Sequence, residues 1–378
     1  MTRQRLSVAT CIACTLLWTA VASAQAPASA SNSQDDESFA AAIVVPHLSA
    51  NESAHEIEAK PEVFIQTRFA RGLVDDAPEE TTQNFQLTRL ETRWSGRVSR
   101  RIGVGLELQF HPALAGAAEE LVNDAFVEFY GPAETTLRVG QFIKPFGFDI
   151  QQSSGAREYP ERGMFAGYFF PGQRDRGVML MWNLPASNIV AANTSVYAAL
   201  LNGNRFFADN DGRLDTVLRI RTRVPGSNVA VGASAQIGSQ IVPPGSPASR
   251  DVHLLGVDAQ FARGHLGLRA ELVHGTRPST LLSLGPEYTT AFGPQTHTTG
   301  VTAAALVDVG HDSVVFARLD RLVGDPMTGR DVQAFDAGYR RRLTADASLS
   351  VTYQRKSTAT ANDDAVNTRM QATIGIVF

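Results

Sequence analysis

The sequence predicts an all-β fold: a transmembrane antiparallel β-barrel of about sixteen strands, with a long third loop folded inward. Three observations carry that expectation. Apolar residues recur at every second position from residue 61 onward, the links between these stretches alternate between short and long, and an export signal precedes them all. A strand turns successive side chains to opposite faces, so a period of two marks strands with one apolar and one polar side.

At the N-terminus, Arg3 and Arg5 precede an apolar run from Ser7 to Ala22, and Ala22-Ser23-Ala24 offers the small residues of a cleavage site. Residues 1–24 therefore read as a secretory signal peptide. Cys11 and Cys14, the two cysteines, both lie inside it, so the mature chain has no disulfide and needs a large closed structure for stability. Residues 25–60, rich in Ala, Ser, Asp and Glu, read as a flexible periplasmic leader. Residues 61–378 form the expected barrel. No later segment supplies 18 consecutive apolar residues, so any membrane crossing is by strands.

The clearest strand is the last. Val366, Thr368, Met370, Ala372, Ile374, Ile376 and Phe378 alternate with Asn367, Arg369, Gln371 and Thr373. In Arg213 to Val224, Leu214, Leu218 and Ile220 oppose Arg213, Arg219, Arg221 and Arg223. Lipid-facing arginine at the bilayer midplane costs about 2–4 kcal/mol, so these arginines belong to the lumen. The same rule puts Arg89, Glu91, Arg93 and Arg97 inward between Phe85 and Val98, and Arg269 and Glu271 inward between His265 and Val273. Ile102 to Phe110 is a further strand, and Asn188 to Leu201 is apolar on both faces.

Seven short links, such as 99–101 and 310–312, alternate with eight longer polar links, such as 72–84, 145–176 and 358–365. Sorting of link length by parity is the pattern of an outer-membrane barrel, with tight inner turns and longer outer loops. A closed barrel also leaves no strand edge unpaired in lipid. The C-terminal Phe378 on an alternating strand resembles the signal read by the barrel-assembly machinery.

The eight histidines are scattered, and no HExxH, GxSxG, phosphate-binding loop or dinucleotide fingerprint occurs. An enzyme, a cofactor, a resident metal and a nucleic-acid partner are therefore not expected. What remains is charge. Arg89, Arg93, Arg138, Arg219, Arg221, Arg223 and Arg269 fall on inward faces, interleaved with Glu91, Glu107, Asp124, Glu128 and Glu271. Rows of arginine raise the local concentration of anions and suit phosphate or carboxylate. Equally, facing basic and acidic side chains can brace one another across the wall. Both readings stay open at this level.

The link 145–176 is the longest, and a wide barrel needs something folded inward to narrow it. The expected constriction set is Lys144, Arg157, Glu158, Glu161, Arg162, Arg174 and Arg176, with Phe146, Phe148, Tyr159, Phe165, Tyr168, Phe169 and Phe170 to pack the loop against the wall. Lys144 is one of three lysines among 34 basic residues.

The stretch NDAFVEFYGPAETTLRVGQFIKPFGFDIQQSSGAREYPERGMF, residues 123–165, resembles the phosphate-selective porin O and P family. Asp124, Ala125, Glu128, Leu137, Arg138, Gly140, Gln141, Phe142, Lys144, Pro145, Phe146, Ser153, Ser154, Arg157, Glu161 and Arg162 match its pattern. Ile143 and the pair Gly155-Ala156 are insertions relative to it. The resemblance implies a trimeric, sixteen-stranded porin whose third loop folds inward. The expected function is passive diffusion of small hydrophilic solutes, with small anions preferred, in contact with outer-membrane lipid and lipopolysaccharide. Scarce lysine leaves phosphate itself unassigned. The alternative is a plugged structural or adhesive barrel without transport.

Overall fold

The computed structural model describes residues 60–74, 83–110, 121–170, 173–184, 193–203, 209, 211–241, 249–277, 280–281, 291–292, 296–324, 331–359 and 364–377. The signal peptide, the leader up to residue 59 and Phe378 lie outside them.

Sixteen strands close into one antiparallel barrel. Its first half comprises β1 (Lys60–Val74), β2 (Gln83–Ser99), β3 (Ile102–Gln109), β4 (Val122–Tyr130), β5 (Thr135–Ile143), β6 (Arg174–Asn183), β7 (Thr194–Leu201) and β8 (Asp215–Arg223). The chain continues through β9 (Val229–Ile241), β10 (Ser249–Arg263) and β11 (Leu266–Arg277). Two short strands, β12 (Thr280–Leu281) and β13 (Ala291–Phe292), pair with each other as a separate sheet. The wall resumes with β14 (Thr296–Gly310), β15 (Ser313–Val323), β16 (Val332–Arg342), β17 (Ala347–Ala359) and β18 (Asp364–Val377). Each barrel strand pairs with its sequence neighbour, and β1 pairs with β18 from Phe64↔Val377 to Val74↔Asn367.

Burial is inverted relative to a water-soluble sandwich, and alternation is the reason. Leu218, Ile220, Leu255, Leu268, Leu319 and Ile374 are exposed on the outer face. On the opposite face of the same strands Arg219, Asp258, Arg269, Arg318 and Thr373 are buried. An apolar outside and a charged inside is what lipid on one side and a polar lumen on the other demand.

Two links depart from the expected length rule. The link 184–193, expected to be short, runs from the end of β6 to Thr194. The link expected over 358–365 shrinks to 360–363, because β17 and β18 stay paired out to Ala359↔Asp364. The inner face also departs from uniform polarity. Met179, Ala199, Leu201, Val217, Val252, Leu254, Val273, Leu322 and Val332 make an apolar inner patch against which the long link packs.

Candidate functional site

The long link enters the barrel at the end of β5. Lys144 keeps strand parity with Phe142 and Arg138, and its ammonium meets Asp175 of β6 at 2.9 Å with both side chains buried. Its amide bonds the carbonyl of Gln173, so the two ends of the link are tied together. Gly147 then turns the chain at φ 54°, and a side chain there would collide with the Glu271 carboxylate. Glu271 of β11 instead accepts the amides of Phe148 and Asp149 at 3.0 and 2.8 Å. On either side of this point Phe146, Ile150 and the aromatic side chains of helix α1 (Met164–Phe169), together with Phe170, bury themselves in the apolar inner patch. Phe146 and Phe170 pack with ring centroids 4.7 Å apart and the ring planes tilted by 43°. Burial of such rings, at roughly 25 cal/mol per Å² of apolar surface, holds the loop inside the barrel.

Charged groups on the wall clamp the middle of the loop. Glu161 receives Arg89 of β2 at 3.0 Å and Arg68 of β1 at 3.4 Å. Arg269 of β11 grips Glu158 through both nitrogens at 2.5 and 2.7 Å. Arg318 of β15 donates to the Glu161 carbonyl at 2.6 Å, and Arg340 of β16 donates to the carbonyls of Arg157 and Gly155. Burial alone would raise the Glu161 carboxyl, yet Arg89, Arg68 and Arg157 hold it down to about 2.

Within the loop, Arg162 donates to the carbonyls of Asp149 and Gln152. Arg157 is 3% exposed, and its guanidinium nitrogens meet no hydrogen-bond acceptor among the described residues. Burial first, then Arg162 and Arg89, push the Arg157 guanidinium well below its ordinary value. Arginine keeps its proton even so, and the shift expresses how poorly the surroundings solvate the charge.

The remaining wall arginines are largely engaged with acids. Arg93 bonds Glu107, Arg138 meets Glu128 at 2.6 Å, and Arg219 meets Asp258 at 2.7 Å. Arg89 also lies 3.8 Å from Glu91. Arg221 and Arg223 share the inward parity of Arg219, toward the short-turn end of β8. Bracing therefore accounts for most of the inward arginines.

Two expectations change. Arg174 and Arg176 are not loop residues: they open β6, on the same parity as the outward Val178 and Leu180. Arg174 nevertheless bonds Glu107 at 2.6 Å and Asp124 at 3.1 Å, while Arg176 bonds Gln141 at 3.0 Å. Lys144 points inward but is sealed against Asp175, so it is a brace at the loop's root and offers no charge to the lumen. Arg68 escaped the sequence reading, although its parity with the buried Phe64 and Gln66 was the available signal. The role of Glu271 as acceptor for loop amides had no signal at all, since nothing local links it to Phe148.

With this geometry in hand, the comparisons decide the family. A family model described as phosphate-selective porin O and P matches residues 69–329. The chain belongs to that family. The porin's fold is also that of solved outer-membrane channels. An anion-selective porin from Comamonas acidovorans aligns with a TM-score of 0.63 at 14% identity, over 85% of this chain and 100% of the other. OmpF of Salmonella typhi, in complex with daunomycin, aligns at 0.62 and 12% identity, over 85% and 98%. The trimer form of OmpT from Vibrio cholerae aligns at 0.55 and 12% identity, over 85% and 99%. A search of curated proteins found no match. The chain is thus an outer-membrane porin, and its fold and family are those of channels.

Proposed function

We propose that this porin is a passive diffusion channel for small hydrophilic solutes that prefers small anions, phosphate among them, and that it works as a homotrimer. The observation carrying the anion preference is the contrast between wall and loop. On the wall Arg89, Arg138, Arg219 and Arg269 sit in ion pairs, whereas Arg157 and Arg162 of the loop touch no carboxylate within ion-pair distance among the described residues. Two guanidiniums in a low-dielectric loop that crosses the lumen raise the local potential and favour anions. The anion-selective porin of similar fold and the trimeric OmpT support the reading by analogy. Contacts with outer-membrane lipid and lipopolysaccharide, and delivery by the barrel-assembly machinery through Phe378, belong to the same proposal.

Reversal potential across a KCl gradient tests it. The wild type is expected to report anion preference, and Arg162→Glu to move it toward cations; a cation-selective wild type would overturn the reading. Unheated gel migration, compared with a boiled sample, tests the trimer. A second reading, a plugged barrel, draws on the loop's extensive apolar burial. Steady single-channel current would exclude it.

A further inference from the structure

Three oxygen-bearing side chains converge where helix α1 begins, and none of them serves the clamp already described. Thr302 of β14 and Asp320 of β15 are directly opposite in the ladder, so their side chains are neighbours on the inward face. Gly163 faces both. The position that its missing Cβ would take is 3.0 Å from Thr302 Oγ1 and 3.1 Å from Asp320 Oδ1. Its amide donates to Asp149 Oδ2 at 2.9 Å, which brings the third side chain to the same point. Asp149, Asp320 and Thr302 are 2%, 1% and 4% exposed. Each turns one oxygen, Asp149 Oδ1, Asp320 Oδ1 and Thr302 Oγ1, to no hydrogen-bond partner among the described residues.

Charge points the same way. Arg318 lies 3.2 Å from Asp320 but is shared with Asp336, so one cation serves two carboxylates. Among the described residues no basic side chain lies within ion-pair distance of Asp149 or of the nearby Glu271, whose carboxylate takes the Asp149 amide. A buried carboxylate surplus is costly unless something positive joins it.

We propose that Asp149, Asp320 and Thr302 form a seat for a hard divalent cation of the calcium type, fastening the loop to the β14–β15 wall. Such an ion takes six to eight oxygen ligands and accepts water for those the protein does not provide. No three acidic or histidine side chains cluster closely enough to hold a metal by themselves among the described residues. The Thr302 hydroxyl is what completes this set, and glycine at 163 leaves the space.

Equilibrium dialysis of the full chain, refolded in detergent, stripped with chelator and offered radiolabelled calcium, tests the seat. The expected result is one saturable calcium per chain, weakened about tenfold or more in Asp320→Asn and in the isosteric Thr302→Val, since even outer partners of a metal cost that much. An exposed-turn control, Asp346→Asn, should bind like the wild type. Calcium should also raise the unfolding temperature of the wild type more than that of Thr302→Val. No saturable uptake by the wild type, or equal uptake by wild type and Thr302→Val, would overturn the proposal. So would an infrared band of protonated carboxyl in the calcium-treated wild type that Asp320→Asn removes, which would assign a proton to the surplus instead.

Discussion

Along β1, β2 and β16 the barrel wall meets the loop with guanidiniums; along β11 it also meets it with a carboxylate. On the first flank Arg68, Arg89 and Arg340 donate to the Glu161 carboxylate and to backbone carbonyls of the loop. On the second, Glu271 accepts the amides of Phe148 and Asp149. An arginine fork reaches several acceptors at once and tolerates some movement of the loop. A carboxylate that accepts two consecutive amides fixes the backbone itself. The basic flank therefore grips the loop by its side chains and carbonyls, and the acidic flank sets the path of its backbone.

The largest expected effect comes from the pair that fastens the loop to β11. Arg269→Met leaves Glu158 buried and unpaired, which costs about 3–5 kcal/mol and should show as a large drop in the denaturant midpoint. Next is Gly147→Ala, which places a methyl at positive φ against Glu271; a cost of about 1–3 kcal/mol should appear as faster proteolysis of the loop with the barrel intact.

A matched pair of neutralising changes sharpens the contrast. Glu161→Gln removes the carboxylate that Arg68 and Arg89 share and should destabilise by about 1–3 kcal/mol, whereas Glu271→Gln relieves an unpaired carboxylate and should be close to neutral in the same unfolding assay. Equal losses in both would erase the distinction between the flanks.

The smallest effect concerns acid. The Glu161 carboxyl is depressed from an ordinary 4.5 to about 2, so its stabilisation is present above 4.5 and fades as pH falls toward about 2. Loop proteolysis in the wild type should stay slow down to roughly pH 4 and quicken below it, and Glu161→Gln should lose that pH dependence.

How much of this was legible in the sequence follows from what alternation can encode. It tells which face a side chain occupies, so the inward placement of Arg89, Arg138, Arg219 and Arg269 and the count of sixteen strands could be read directly. It says nothing of depth or partner. Lys144 looked like a pore charge because its ion-pair partner, Asp175, is 31 positions on and belongs to a strand whose start was hidden in polar sequence. That same polarity drew Arg174 and Arg176 into the loop. Apolar inward residues such as Val252, Leu254 and Val273 interrupt the expected polar lining, and their purpose is visible only when the aromatic loop lies on them. The function of Glu271 depends on a loop more than a hundred residues away.

The apolar inner patch also orders events in time. Phe146 to Phe170 leave the chain between β5 and β6, yet the surface that receives them includes Val252, Leu254, Val273, Leu322 and Val332. Those positions are contributed by strands that lie much later in the chain. Until β16 is in place the loop's aromatic side chains have no complete seat, so loop docking is a late step, slowed by the large sequence separation of its contacts. A barrel of this design carries its own internal report of closure: the lumen fills only once the wall around it exists.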